Sequence, residues 1–206
     1  MSTNPHLHLL LERAPALVTC IPDIERAFEA MRESLSQEGK LLLCGNGGSA
    51  ADADHWAGEL LKGFCRKRPL DLEDQAKLPP EIGSRLQGAL PAIPLTSFPG
   101  LTTAFANDVA PELIFAQLVW GLGNEGDVFV GISTSGNAKN VCAAAQTARA
   151  RGLVTVGMTG LSGGQLKDYC DIMIQVPIQE TYRVQEYHLP IYHCLSLMLE
   201  EAFFGT

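Results

Sequence analysis

A histidine and a glutamate stand four residues apart, shortly after a turn rich in glycine and serine. The turn, GNGGS at 45–49, follows the apolar run LLLC, and the pair is His55 and Glu59. Such a turn at the start of a helix leaves backbone N–H groups free, and phosphate binds well there. Residues at i and i+4 share one helix face, so a metal ligand or an acid/base pair can lie beside the bound molecule. The segment therefore indicates an enzyme or binding protein for a small phosphorylated molecule.

Two later loops carry the same kind of turn. The segment STSGN at 133–137 follows the run VFVGI, and Thr159 and Gly160 end another apolar run. In open parallel sheets, ligands bind at the carboxyl ends of strands near a topological switch point. Glycine and serine also make ordinary turns and helix caps, but two matched loops before helices favour a phosphate site. The first loop lacks the GxGxxG pattern and no Walker lysine follows it, which argues against a dinucleotide or ATP site.

A segment near the C-terminus could complete a metal or acid/base site. Gln185, His188 and His193 lie in one otherwise apolar predicted helix. Gln185 and His193 are within roughly 80° of each other around that helix. With His55 and Glu59 they would form a ligand set suited to zinc or a similar divalent ion. An i, i+4 pair is often only a surface contact and glutamine is an uncommon ligand, so spacing alone leaves metal binding open.

Short, wholly apolar runs alternate with segments of helical spacing. Runs that are apolar throughout indicate strands covered on both faces, as in a parallel sheet. We therefore expect an α/β fold, with a doubly wound five-stranded parallel sheet flanked by helices. The predicted strands are 41–45, 91–97, 127–134, 153–160 and 171–177, and the predicted helices are 5–18, 22–40, 50–64, 111–122, 138–151 and 183–204.

The chain of 206 residues is long enough for one substantial core, so we expect a single domain over 1–206. The polar segment 70–90 contains prolines and is predicted to be a surface insertion with one short helix at 80–88. The last predicted helix carries apolar side chains around its whole circumference between Leu189 and Phe204. A monomer would expose such a surface, so we expect this helix to be buried against another subunit.

The amino-acid composition limits which kinds of partner the protein can bind and where in the cell we expect it. A net charge of −8 with only 15 lysines and arginines argues against nucleic-acid binding, and the short basic cluster at 66–68 is interpreted as a solvated helix end. Six cysteines without a CxxC pair fit buried, reduced thiols in a cytosolic protein. We expect no membrane span and no signal peptide, and hence a cytoplasmic location, since no apolar run approaches ~18 residues.

Taken together, the motifs resemble one enzyme family. The segments GNGGSAADADHWAGEL, ANDV at 106–109, GDVFVGISTSGNAKNV, TVGMTGLSGGQL and RVQEYHLPIYH are similar to the sugar isomerase (SIS) domain of sedoheptulose 7-phosphate isomerases, also called phosphoheptose isomerases. The resemblance covers nearly the whole chain except 70–90. It implies a flavodoxin-like three-layer sandwich, assembled as a homotetramer with active sites between subunits, that isomerises a sugar phosphate through an enediol.

The resemblance also implies roles for individual residues. Substrate contacts are expected from Asn46, Gly47, Ser49, Asp108, Ser133, Thr134, Ser135 and Gln185, with the serines and Thr134 around the phosphate and with Asn46 and Asp108 near the sugar chain. His55, Glu59, Gln185 and His193 are expected around a zinc ion, and Glu59 and His193 are expected to move protons.

Four departures from the family pattern concern the surroundings of the substrate. They are the insertion, Gly63 where arginine is common, Ala138 where another serine is usual, and Tyr182 where a small or acidic polar residue is usual. A related replication-initiator-associating protein keeps the fold as a scaffold but lacks the catalytic glutamate and the second histidine. Glu59 and His193 are both present here and favour an enzyme. A sugar-phosphate sensor, which needs the serine loops but no acid/base pair, is the third interpretation.

Overall fold

A five-stranded, fully parallel sheet forms the centre of the molecule. The computed structural model describes residues 4–205; residues 1–3 and 206, which the single-domain prediction includes, lie outside the described residues. The strands are β1 Leu41–Gly45, β2 Ala92–Pro94, β3 Val128–Ile132, β4 Val154–Thr159 and β5 Ile172–Gln175, in the order β2-β1-β3-β4-β5. All five lie within the predicted runs, and this strand order is the flavodoxin-like one.

Helices cover both faces of the sheet. They are α1 Pro5–Arg13, α2 Ile21–Ser36, α3 Gly48–Leu61, α4 Leu72–Ala76, α5 Pro80–Gly83, α6 Pro99–Asp108, α7 Ile114–Leu122, α8 Lys139–Ala150 and α9 Thr181–Phe204. On β1, Leu41 and Leu43 pack towards α2, α3 and α9, whereas Leu42 and Cys44 pack towards α7 and α8. Burial on both faces explains why the strands read as apolar throughout, and it confirms the three-layer prediction.

Helix boundaries differ from the predictions at several points. The predicted helix 5–18 ends at Arg13, and a 3-10 turn follows at Pro15–Cys20 because proline lacks an N–H and Ala14 leaves the helical conformation. The predicted helix 80–88 ends at Gly83. Neither α4 nor α6 was predicted.

The chain itself covers most apolar side chains of α9, so the premise that a monomer would expose them is wrong, while burial of this helix against another subunit stays a prediction. Tyr192, Leu195 and Leu199 are fully buried within the chain, where α9 packs against α1, α2 and α3. Leu189 is the most exposed large apolar residue of the Leu189–Phe204 segment, at 39%. Among residues 4–205, no helix has the length and apolar character needed to cross a bilayer.

Candidate functional site

An open cavity of about 370 Å³ lies where the loops after β1 and β3 diverge, at the switch point of the sheet. Its walls are Asn46, Gly47, Gly48, Ser49, Ile132, Ser133, Thr134, Ser135, Ala138, Thr181 and Gln185. The cavity thus brings together all the predicted substrate contacts except Asp108. Within the described chain, the hydroxyl groups of Ser49, Ser133 and Thr134 make no hydrogen bond to protein and remain available to a ligand.

Three helices begin at this cavity. α3 starts after Gly47, α8 starts after Ala138, and α9 starts at Thr181. Gly47 has φ 55° and ψ −121°, a conformation that glycine adopts readily, and this turns the chain sharply from β1 into α3. None of the three N-cap side chains hydrogen-bonds the first helical turn. Free N–H groups and three helix dipoles therefore face a wall without lysine or arginine, an arrangement that suits a phosphate.

Side-chain amides hold the two serine-bearing loops in place. Asn46 and Asn140 exchange hydrogen bonds of 2.9 and 2.8 Å, which join the first loop to α8. The side chain of Asn137 accepts a hydrogen bond from the Gln165 N–H at 3.0 Å. Asn140 and Thr181 were not singled out from the sequence, because an isolated polar residue at a helix start carries no local signal of a site.

A cluster of titratable side chains lies farther along α3. His55 Nε2 is 3.1 Å from Glu59 Oε1, and the rings of His55 and His193 stand perpendicular with centroids 5.2 Å apart. Lys62 Nζ lies 3.1 Å from the other oxygen of Glu59. Burial lowers the pKa of His193, as does His55, while Glu59 opposes the shift. A carboxyl group and a neutral imidazole side by side can shuttle a proton between neighbouring atoms of a ligand.

Two polar residues behind His55, the half-buried Asp52 and the fully buried Tyr192, escaped the sequence analysis as site residues. Tyr192 Oη lies 2.9 Å from His55 Nδ1 and donates a hydrogen bond of 3.2 Å to Asp52 Oδ1. Burial raises the pKa of both Asp52 and Tyr192. Asp52 precedes His55 by three residues on the same helix, a spacing that could have marked it. Tyr192 is remote in sequence and was interpreted only as an apolar packing residue.

The four expected metal ligands are not all together in one chain. Gln185 lies beside Gly48 in the cavity, eight residues before His193 and thus about 12 Å away along α9. Over residues 4–205, no group of three or more His, Cys, Asp or Glu side chains is arranged to hold a metal ion. However, Nε2 of His193 is buried and has no hydrogen-bond partner among the described residues, as a nitrogen awaiting a ligand would be. Asp108 is exposed at the end of α6, where it accepts a hydrogen bond from Asn107.

The 70–90 insertion reaches the edge of the titratable cluster. Gln87 Oε1 accepts a hydrogen bond from the Gly63 N–H at 2.8 Å, and Lys62 Nζ donates to the Gly63 carbonyl at 3.3 Å. A Cβ atom on Gly63 would collide with the Arg66 carbonyl and with Gln87. The position where the resemblance leads one to expect an arginine therefore has no room for a side chain.

The interpretation of the basic cluster at 66–68 as solvated is wrong for Arg68. Its side chain is fully buried and forms a 2.8 Å ion pair with Glu200 of α9. Although burial opposes it, hydrogen bonds from the N–H groups of Cys65 and Phe64 and from Arg68 lower the pKa of Glu200. These contacts tie the segment after α3 to α9, and Phe64 packs 5.3 Å from the His193 ring.

Comparison with known proteins agrees with this geometry. Two SIS domain models match residues 13–79 and 100–199. The chain is 40% identical over 182 residues to the phosphoheptose isomerase of Burkholderia pseudomallei (strain K96243), covering 88% of this chain and 83% of that protein. It is 41% identical over 193 residues to the phosphoheptose isomerase of Halorhodospira halophila (strain DSM 244 / SL1), covering 92% and 88%. The solved phosphoheptose isomerase of Neisseria gonorrhoeae superposes with a TM-score of 0.76 at 32% identity over 95% of each chain. The chain therefore belongs to the phosphoheptose isomerase family of SIS-domain proteins.

Proposed function

We propose that this chain is a phosphosugar isomerase that converts sedoheptulose 7-phosphate into D-glycero-D-manno-heptose 7-phosphate. The observation that carries the proposal is the presence of two features along the packed helices α3 and α9. A cavity surrounded by three uncapped helix starts lies at one end, and the His55, Glu59 and His193 cluster lies farther along. The names of the related proteins point to the same reaction.

The spacing along α3 favours a long substrate with its phosphate far from its carbonyl. Gly48 at the cavity and His55 in the cluster are seven residues apart on α3, which places them about 10 Å apart along the helix. A sugar held in extended form would keep its phosphate in the cavity while its carbonyl carbon and the adjacent hydroxyl-bearing carbon reach Glu59 and His193. A seven-carbon ketose with phosphate on its last carbon has this shape.

Glu59 and His193 are the proposed proton-transfer residues. Isomerisation removes a proton from the carbon beside the carbonyl and returns one to the former carbonyl carbon, while a second group protonates oxygen. A carboxylate next to a neutral imidazole supplies both functions. Partial burial lowers the pKa of His193 and so favours the neutral imidazole, which can accept a proton as well as donate one.

We extend the proposal to a divalent ion, zinc, held by His55, Glu59, His193 and Gln185. The unpartnered Nε2 of His193 and the nitrogen and oxygen donors beside it fit such an ion. When bound, zinc would polarise the carbonyl and hydroxyl oxygens of the sugar. Since Gln185 is two helical turns from His193 within one chain, its place in the set requires a second subunit.

The proposed assembly is a homotetramer with active sites between subunits, and the proposed location is the cytoplasm. The separation of Gln185 from the acid/base cluster and the position of Asp108 outside the cavity support a shared site. The resemblance to the family supports an assembly of four subunits.

A non-catalytic scaffold or sugar-phosphate sensor is the alternative, since the serine cavity alone would serve either. To separate an enzyme from a scaffold or sensor, purified protein is incubated with sedoheptulose 7-phosphate, with and without added zinc, and the formation of aldose is measured. We expect turnover of this ketose and weaker turnover of shorter ketose phosphates. Binding without turnover under both conditions would favour the sensor.

A further inference from the structure

A hydrogen-bonded chain runs from a half-buried carboxylate to the edge of the titratable cluster. Asp52 Oδ1 accepts from Tyr192 Oη at 3.2 Å, Tyr192 Oη meets His55 Nδ1 at 2.9 Å, and His55 Nε2 faces Glu59 at 3.1 Å. Each link joins side chains whose positions are fixed by α3 or α9. The Tyr192 ring is fully buried and stacks on Trp56, with centroids 5.6 Å apart, so it has little freedom to turn away.

The single proton of the tyrosine hydroxyl decides the direction of the two hydrogen bonds that Tyr192 makes, with Asp52 and with His55. A carboxylate can only accept hydrogen bonds, so the hydroxyl proton of Tyr192 is committed to Asp52. Its oxygen is then left as an acceptor for His55, and the bond to His55 Nδ1 requires a proton on that nitrogen. A neutral imidazole carries one N–H, so Nε2 must present a lone pair.

We propose that Tyr192, oriented by Asp52, is a positioning residue that holds His55 in the Nδ1–H tautomer. His55 Nε2 then presents its lone pair to the site, where it can accept a proton or coordinate a cation. Without this restraint, His55 would favour a proton on Nε2, because Glu59 offers an acceptor 3.1 Å away. A histidine whose Nε2 donates to Glu59 would tie up the carboxylate that the proposed reaction needs.

The hydrogen bonds of Asp52 and Tyr192 show why both residues are needed to set the tautomer of His55. Asp52 Oδ2 is buried without a hydrogen-bond partner among the described residues, so Tyr192 supplies the side-chain hydrogen bond of this carboxylate. Within residues 4–205, Tyr192 in turn has two polar contacts, with Asp52 and His55. Removal of Asp52 would free the Tyr192 proton to donate to His55 Nδ1, and that would drive the imidazole into the opposite tautomer.

The direct test is the tautomer of His55, read from ¹⁵N chemical shifts of histidine-labelled, chelator-treated protein at alkaline pH, where imidazoles are neutral. A His55→Gln variant assigns the signal. We expect Nδ1–H in the wild type, and a shift towards Nε2–H in both Tyr192→Phe and Asp52→Ala. Tyr187→Phe, a change at a partly buried tyrosine of the same helix, is the matched control and should leave the His55 shifts unchanged. An Nε2–H tautomer in the wild type, or an unaltered tautomer in both variants, overturns the proposal.

Turnover gives a second readout, which rests on the proposed function. Loss of a group that orients a site histidine typically costs 10- to 100-fold, so Tyr192→Phe should lower kcat by about that factor with little change in KM. The double variant Tyr192→Phe/Asp52→Ala should lose no more than the worse single variant, because both act through His55. Full additivity of the two losses would contradict a common route. If no substrate is turned over, the tautomer measurement still decides the proposal, and only the proposed function fails.

Discussion

His188 shows at the scale of one residue how burial governs charge. Its side chain is fully buried in α9 beside the backbone of Thr159, and neither ring nitrogen has a hydrogen bond of good geometry within residues 4–205. Burial lowers its pKa to about 4. An unfolded chain keeps the ordinary value of about 6.5. Between these values the unfolded state binds the extra proton, so acid favours unfolding.

The free energy of unfolding should therefore fall as pH drops from about 6.5 to about 4, by up to about 1.4 kcal/mol per unit from this residue, and this contribution should stop changing below about pH 4. Urea unfolding at several pH values measures the slope. His188→Leu, which cannot titrate, should give a flatter curve over the same window. Equal slopes for the two proteins would show that His188 is protonated in the folded state.

The sequence indicated site residues where a local pattern existed. GNGGS, STSGN and the His55–Glu59 pair each have a spacing that physical chemistry can interpret, and the structure brings the two loops together. The sequence could not indicate Tyr192 or Glu200, because their polar partners lie far away along the chain. Both residues look like parts of an apolar helix. Arg68 was misread for the same reason, since its partner lies 132 residues later.

At the scale of elements, the first turns of α3 and α9 lie against each other at the wall of the cavity. A Cβ atom on Gly48 would lie 2.5 Å from Nε2 of Gln185. Gly48→Ala should therefore displace Gln185 and raise KM for the sugar phosphate by about tenfold or more, roughly the effect of 1.4 kcal/mol. Steady-state kinetics measures the change.

Gly58→Ala is the matched control on the same helix, because nothing lies within 4 Å of a Cβ atom there. It should leave KM unchanged and increase the free energy of unfolding by about 0.5–1 kcal/mol through helix propensity. An unchanged KM in Gly48→Ala, with normal folding, would refute the assignment of the cavity to the phosphate.

The buried Arg68–Glu200 pair joins the segment after α3 to α9. Breaking a buried ion pair leaves an uncompensated charge and costs about 3–5 kcal/mol. Arg68→Met should destabilise the protein by that amount in urea unfolding. Arg32→Met removes an exposed 2.8 Å pair with Glu29 and should cost less than about 1 kcal/mol. Similar losses in the two variants would contradict a structural role for the buried pair.

Element prediction succeeded for strands and failed for short helices. The strands bury both faces, so each one reads as an unbroken apolar run. In contrast, α4 and α6 contain no buried residue and so have no apolar stripe that marks a helix in the sequence. The predicted helix 5–18 was placed past the stop at Ala14 and Pro15, and the predicted helix 80–88 continued beyond the end of α5 at Gly83.

At the scale of the whole molecule, the chain covers its own C-terminal helix, so the tetramer no longer follows from an exposed apolar helix. The proposal now depends on the separated site residues and on the family resemblance. Light scattering at micromolar concentration should give a mass about four times the 22.2 kDa of one chain. A monomeric mass with full activity would contradict the shared site, whereas a dimer would contradict only the number four.

The central claim is that the proposed site along α3 and α9 isomerises a heptose phosphate with Glu59 as a proton-transfer group. The most direct measurement compares turnover of sedoheptulose 7-phosphate by the wild type and by Glu59→Gln, with ligand affinity measured in parallel. Glu73→Gln, an exposed change in the insertion, serves as the matched control. We predict a loss of about 10²- to 10⁴-fold in Glu59→Gln, with folding and ligand binding retained and no loss in the control. Near wild-type turnover by Glu59→Gln would contradict the account.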